Sequence, residues 1–476
     1  WLPPLEQRLH VSDYASGDSG AFEIALKDEP EKQNQSPYRY QWIQDGSIII
    51  FGSSGYGKST TAMTLLTEFA SAYSPEELHY YIFDFGNGAL LPLKQLHHTA
   101  DYFQIDEERK IDKFLSFMKK EIDERKQLFV EKEVSNIRLY NSLHPEEKLP
   151  IMFITIDNYD LVKEEMFDSD AVFTQFARDG QSLGIFFLLT ATRVNAIRQP
   201  LMNNFRTKIF HYLIDSSELY GVLGRPPFEP EPIPGRALIR KEETYFAQMF
   251  LPVKGENDVE VLKGVREKIA GLNESYPSSK KPEPIPMLPK TLPLESFEQR
   301  AGKRGRRAEV PIGLCEESVE PVFIQLQDYP HLLVIGQFRK GKSNTLKVLM
   351  NGLLKNPSIS VGVFDNVDRS LAGFQDHEPV SYLKNKEDIN DWIVKAEGVM
   401  KERENIYMEC LQMNKPLPMF DKFVLLIDGY GRFQQSTDTK IQEAAAGFMK
   451  QYSYLGFSVI VAGNANEFSK GFDSFT

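Results

Sequence analysis

Two stretches of this chain, GSSGYGKST at positions 52–60 and GQFRKGKSN at 336–344, both satisfy the pattern GxxxxGK[ST] in full. No other feature restricts the fold as much. The pattern works only where a strand leads in, a helix leads out and the backbone between them can turn its N–H groups inward. With ordinary residue frequencies, one chance match in a chain of 476 residues has odds of about one in fifty, and two are far rarer. The neighbourhoods repeat as well. Phe83 and Asp84 pair with Phe364 and Asp365, DERK (123–126) with KERE (401–404), ITIDNYD (154–160) with LLIDGYG (425–431), and LGIFFLLTA (183–191) with LGFSVIVAG (455–463). The separation shrinks steadily along the chain, as expected of two copies of one domain that differ by small loop deletions. A period this long excludes a solenoid.

The copies are joined by NESYPSSKKPEPIPMLPKTLPLESFEQRAGKRGRR, which carries six prolines between Pro277 and Pro293 and reads as an extended connector. The expected boundaries are therefore a first domain over 1–272, a connector over 273–308 and a second domain over 309–476. By the spacing of the first copy, the second ends at Thr476 before its closing strands, and a chain opening at Trp1 is expected to be a piece of a longer protein. The basic run Lys303, Arg304, Arg306 and Arg307 reads as a solvated connector face rather than a phosphate contact. Within each copy, short apolar strands (GSIIIFG, HLLVIG) enter the loops and helices (STTAMTLLTEFASAY, SNTLKVLMNGLLK) leave them, after which strands and helices alternate. This predicts an α/β fold in each copy, a mostly parallel sheet covered on both faces, with ligands at the carboxyl ends of the strands.

Composition narrows the function classes. At 41% hydrophobic and 26% charged the chain can bury sizeable cores, and it has no apolar run near 18 residues. Cys315 and Cys410 stand apart with no metal-ligand spacing around them. A net charge of −12 disfavours general attraction to nucleic acid or anionic lipid.

The loops define two candidate nucleotide sites. Gly52, Ser53, Ser54, Gly55, Tyr56, Gly57, Lys58, Ser59 and Thr60 form the first; Gly336, Gln337, Phe338, Arg339, Lys340, Gly341, Lys342, Ser343 and Asn344 form the second. Backbone N–H groups and the helix amino end suit phosphates, Lys58 or Lys342 reaches the β and γ oxygens, and Ser59 or Ser343 can ligate magnesium. The magnesium also needs a carboxylate at the end of a neighbouring strand, which Asp157 and Asp428 supply. An acid commonly follows that aspartate to activate the attacking water. Here Asn158 and Gly429 follow it, and neither can accept a proton. Asp160, three positions beyond Asp157, reads as a helix cap. On the next strand Thr190, Thr192 and Arg193 in the first copy, and Asn464 in the second, are expected near the γ-phosphate. Arg193 is the possible catalytic contact, and Arg178 and Arg206 are candidate fingers toward a neighbouring subunit.

The stretches WLPPL, IALKDEPEKQNQSPY, YIFDFGNGALLPLKQLHH with RKQLF, ARDGQSLGIFFLLTATR and PGRALI together resemble the tandem FtsK/SpoIIIE-type ATPase domains of the EssC/EccC family of bacterial type VII secretion, specifically the second and third. The resemblance implies RecA-like cores, ATP and Mg2+ as ligands, and a place on the cytoplasmic face of the plasma membrane. It also implies a hexameric secretion machine with other membrane components. Its substrates would be of the WXG100 class, whose C-terminal signal docks on the last domain. It further implies domains that bind ATP while hydrolysing it weakly. Thr192 stands where DNA-pumping relatives carry a glutamine, and no winged-helix DNA-reading module is visible in the sequence. The competing readings are an FtsK-like DNA translocase and a docking scaffold with vestigial loops.

Overall fold

The computed structural model describes residues 2–14, 21–224, 226, 228–302, 309–356 and 358–468, with the side chains of positions 163, 167 and 168 left aside. Trp1 and the basic run Lys303 to Arg307 lie outside the described residues. The chain forms two compact units, Trp1–Ile285 and Pro286–Thr476.

The first unit is built on strands β1 (Phe22–Glu29), β2 (Asn34–Tyr40), β3 (Ile48–Phe51), β4 (Leu78–Asp84), β5 (Thr99–Phe103), β6 (Ile151–Asp157), β7 (Ile185–Ala191), β8 (Thr207–His211), β9 (Arg236–Arg240) and β10 (Thr244–Met249). They make one sheet in the order β2-β1-β10-β9-β8-β3-β7-β6-β4-β5. From β8 to β5 every pairing is parallel; from β8 to β2 every pairing is antiparallel. The parallel half explains its own composition, because IIIF, IMFITID and IFFLLTA are covered on both faces and have no need to alternate. One apolar layer on each face does the covering, one around Phe83, Phe114 and Phe173 and the other around Trp42, Phe69 and Phe153.

The second unit has a separate hairpin, β11 (Glu309–Leu314) with β12 (Pro321–Gln325), and an all-parallel sheet. That sheet is formed by β13 (His331–Ile335), β14 (Ser360–Phe364), β15 (Val380–Leu383), β16 (Phe423–Asp428) and β17 (Phe457–Gly463), in the order β13-β17-β16-β14-β15. This reproduces β3-β7-β6-β4-β5 strand for strand. Both units are therefore tandem P-loop α/β domains of one topology. They differ beyond the loop strand: β3 is flanked by β8, whereas among the described residues nothing pairs with the other side of β13, where Leu333 and Ile335 are exposed.

The helices leaving the loops are α1 (Lys58–Ala72) and, in the second unit, Lys342–Leu353. Each unit also has a long helix, Glu108–Glu131 and Lys386–Gln412. These carry the repeated arginine of DERK and KERE, and it does the same work twice. Arg125 donates to the carbonyls of Pro150 (3.0 Å) and Leu183 (2.7 Å); Arg403 donates to those of Asp421 and Leu455, both at 2.7 Å. Each guanidinium thus ties the long helix to the chain just before the fourth and fifth strands of the parallel core, β6 and β7 or β16 and β17.

The connector is less extended than its prolines suggest. Its start is the last turn of helix Asp258–Ser275, Ile285 is buried in the first unit with its N–H on Asp101 (3.0 Å), and Leu294–Ala301 is a helix burying Phe297 and Ala301 in the second. The apolar pair at i and i+4 is what gives that last helix a packed face.

Candidate functional site

In the first unit the loop is fastened on both sides. Gly52 N–H donates to Ala191 of β7 (3.2 Å), Ser53 N–H to Tyr212 after β8 (2.8 Å), and Gly235 N–H to the Tyr56 carbonyl (3.0 Å). Ser53 Oγ accepts from Ile214 N–H at 3.0 Å. His211 lies fully buried beneath the loop, with Nε2 3.1 Å from Thr61 Oγ1, and burial beside the Lys58 charge pushes its pKa down to about 3. Gly55 and Gly57 have φ of 86° and 104°, the left-handed region that glycine enters without strain. A Cβ on Gly57 would lie 3.0 Å from the Gly235 nitrogen, so the tight approach of the two chains also requires glycine. Lys58 Nζ donates to the Ser53 carbonyl at 3.1 Å, and burial lowers its pKa against the raising effect of Asp157 and Asp160.

A cleft of about 740 Å³ beside this loop is lined by Gly86, Asn158 and Thr192, by the apolar Met63, Phe250, Leu251 and Val265, and by the polar Gln7, Arg8, Gln248 and Asp258. Its size and mixed lining suit a nucleoside beyond the phosphates. At its inner end Ser59 Oγ donates to Asp157 (3.0 and 3.1 Å), and Thr190 Oγ1 donates to Asp157 Oδ1 at 2.7 Å. Burial raises the Asp157 pKa, partly offset by the Thr190 hydrogen bond. A hydroxyl facing a carboxylate beside a loop lysine fits a magnesium-bound triphosphate: Ser59 and Asp157 would hold the ion, and the loop the phosphates.

Asn158 has φ of 65° and Gly429 has φ of 92°: both occupy the left-handed region. Asn158 N–H donates to Thr190 Oγ1 (2.9 Å) and its side-chain amide to the Phe85 carbonyl (3.2 Å), which ties the ends of β4, β6 and β7 together. Its carboxamide nitrogen is thus engaged with the backbone. In the second unit the exchange is reversed: Gly429 has no side chain, and Asn366, two positions after Phe364, presents its own amide 3.2–3.4 Å from where a Gly429 Cβ would stand. Acids do lie close by. Asp160 Oδ2 accepts the Thr192 N–H at 2.7 Å, and Glu467 Oε2 accepts the N–H groups of Asn464 (3.1 Å) and Gly431 (3.3 Å). Each caps the turn after the matching strand of its unit, β7 or β17.

The second loop is open. Gln337, Phe338, Arg339 and Lys340 are exposed, and Phe338 is 77% exposed. Lys342 Nζ donates to the carbonyls of Gly336 and Gln337 (both 2.9 Å) and to Asn464 Oδ1 (3.2 Å). Asp428 is buried, with Ser343 hydrogen-bonding to it and burial raising its pKa.

Of the arginines, Arg193 is exposed at the start of a short 3-10 turn and does not line the cleft. Arg178 pairs with Asp179 (2.8 Å) and Arg206 donates to Gln44; both precede the amino ends of β7 and β8, opposite the phosphate loop. Sequence reasoning assigned no role to His211, Gly235 or Glu467. The first two are brought to the loop by β8 and β9, whose placement has no local signature. The repeated aspartates Asp84 and Asp365 were visible only as landmarks. Each fastens its own loop, Asp84 accepting Gly86, Gly88 and Leu90 N–H and the Tyr102 hydroxyl, Asp365 accepting Asn366 and Leu371 N–H and the Tyr382 hydroxyl.

A family model described as the FtsK/SpoIIIE family matches residues 11–218. The chain is 52% identical over its whole length to the ESX secretion system protein EccC of Geobacillus thermodenitrificans, and 51% identical to the ESX secretion system protein YukB of Bacillus subtilis. It spans about a third of the length of these curated relatives, 32% of each. The solved structure of EssC ATPases 2 and 3 from Geobacillus thermodenitrificans superposes with a TM-score of 0.93 at 51% identity, covering all of this chain and 89% of that one. EccC ATPases 2 and 3 of Thermomonospora curvata, solved with a signal sequence peptide, has a TM-score of 0.66 at 21% identity, covering 99% of this chain and 89% of that one, which is a likeness of fold.

Proposed function

The chain belongs to the EssC/EccC-type ATPases of type VII secretion within the FtsK/SpoIIIE family, and from that premise we propose that its two units are ATP-binding switch and assembly elements rather than motors. Each unit holds Mg-ATP between its loop lysine, Lys58 or Lys342, and its serine and aspartate, Ser59 with Asp157 or Ser343 with Asp428. Bound magnesium would neutralise charge on the β- and γ-phosphates; this chain's residues bind and orient, with little means of taking a proton from water.

The observation behind this reading is the left-handed backbone at both Asn158 and Gly429. A position in that conformation favours Gly and the short Asn or Asp over a longer side chain, so the turn in both copies disfavours a glutamate after the magnesium aspartate. Asp160 and Glu467, which lie beside these turns, are already committed to backbone N–H groups. Absence of a general base lowers rates by on the order of 10² to 10⁴. In the whole protein these units lie on the cytoplasmic face of the plasma membrane within a hexamer alongside other secretion-system membrane components. There they receive WXG100-class substrates by a C-terminal signal on the second unit. The peptide bound to the Thermomonospora curvata protein supports that last step.

Steady-state hydrolysis by the wild-type chain and by Asn158→Ala, with and without a substrate's C-terminal peptide, tests the reading. Slow turnover in both is expected. Turnover near the ordinary enzyme median of about 10 s⁻¹ without peptide, unchanged in Asn158→Ala, would overturn it.

A further inference from the structure

The second unit concentrates negative charge in a way the first does not. One carboxylate oxygen each from Asp365, Asp368 and Asp428 lies within 4.8 Å of the others. The corresponding place in the first unit, three positions after the repeated Asp84, is the neutral Asn87. A second difference is independent of this one. In the first unit Thr190 supplies a hydroxyl to Asp157; the residue beside Asp428 on β17 is Ala462, which has none. Asp428 Oδ2 is buried without a hydrogen-bond partner, and the residue is 1% exposed.

The neighbouring cations do not fill the gap. Lys342 is held by two carbonyls and Asn464, and Arg432 donates to the backbone carbonyl of Asp365 at 2.7 Å. Among the described residues no ion pair joins Asp365, Asp368 or Asp428. The carboxylates also keep free capacity. Asp365 has its turn N–H groups and Tyr382, while Asp368, exposed, accepts only a long contact from Ser370 N–H at 3.4 Å.

We propose that Asp365, Asp368 and Asp428 form a site for a hard divalent cation, Ca2+ or Mg2+, that the second unit binds in the absence of nucleotide. Oxygens coordinated to one calcium ion at 2.3–2.6 Å stand at most about 5 Å apart, so a cluster within 4.8 Å is at coordinating separation for calcium, whereas magnesium at about 2.1 Å would draw the oxygens to about 4 Å. All-oxygen ligands select such cations over softer metals. The exposed side of Asp368 leaves room for water to complete the shell. The site shares Asp428 with the nucleotide reading but does not depend on it.

Calorimetric titration of the nucleotide-free chain with CaCl2, and separately with MgCl2, is the test. One saturable event is expected with at least one of the two salts, weakened at least tenfold in Asp368→Asn. Asp368 is exposed, so that variant keeps the fold. Lys342→Ala should retain the cation event whatever happens to its ATP binding, which separates this site from the nucleotide reading. No saturable event with either salt, or the same affinity in Asp368→Asn as in wild type, would overturn the proposal.

Discussion

The two units share five parallel strands in one order, two phosphate loops and two arginine clamps, yet their loops sit in different surroundings. In the first, β8 and β9 bring His211, Tyr212 and Gly235 against the loop, and a cleft of mixed polar and apolar lining lies beside it. In the second, β13 is paired on one side among the described residues and the loop is exposed. The contrast separates what a P-loop carries in its own residues from what its surroundings add. The glycine conformations, the lysine and the serine–aspartate pair recur in both. Among the described residues, the walls that fasten the loop and line a cleft beside it belong to the first alone.

Glycine substitutions probe that difference most strongly. Gly57→Ala adds a clash with Gly235 to the left-handed strain and should destabilise the first unit by about 3 kcal/mol, whereas Gly341→Ala meets open space and should cost the second only about 1 kcal/mol. Thermal unfolding followed by calorimetry reads both. Equal losses would mean that the surroundings of the first loop do not constrain it.

Acid should separate the units next. Burial beside Lys58 pushes the folded-state pKa of His211 down to about 3, below the ordinary imidazole value of about 6.5, so the unfolded chain takes up this proton first. Its contribution is complete above about pH 6.5 and is lost as pH falls toward 3, at about 1.4 kcal/mol per pH unit. The first unit's stability should therefore decline over that window with a slope that His211→Gln reduces, while the second, with no such histidine under its loop, keeps its slope. An unchanged slope in the variant would remove His211 from the account.

The smallest expected effect is at Asn158. Because its left-handed backbone is the main requirement, Asn158→Gly should change stability by less than about 1 kcal/mol, while Asn158→Val should cost more, since β-branched residues resist that conformation. Chemical denaturation of the two variants decides it.

The parallel core of each unit was legible because buried strands read as apolar runs and because each loop demands a strand before it and a helix after it. The positions of the two loops between strand and helix, and of Asp157 and Asp428 at strand ends, followed from the same constraint. Asn158 and Gly429 were legible as an absence, the lost acid, but their identity was also a conformational signal, since Asn and Gly are the residues that accept φ above zero most readily. The antiparallel half of the first sheet was not legible. β1 pairs with β10 across most of the unit, and no local pattern records a partner so distant. The same distance hid the approach of Gly235 to the loop. Asp368 escaped notice because an aspartate in a turn looks like any other until two more are seen beside it.

The central claim is that both loops hold Mg-ATP while the enclosed first site holds it more tightly. Calorimetric titration of ATP with magnesium into wild type, Lys58→Ala and Lys342→Ala measures this directly. The account predicts two binding events, the tighter weakened at least tenfold by Lys58→Ala and the weaker lost in Lys342→Ala, as removal of one charge-assisted contact of about 1.5–3 kcal/mol implies. A single event unaffected by Lys58→Ala, or a tighter event abolished by Lys342→Ala, would contradict it.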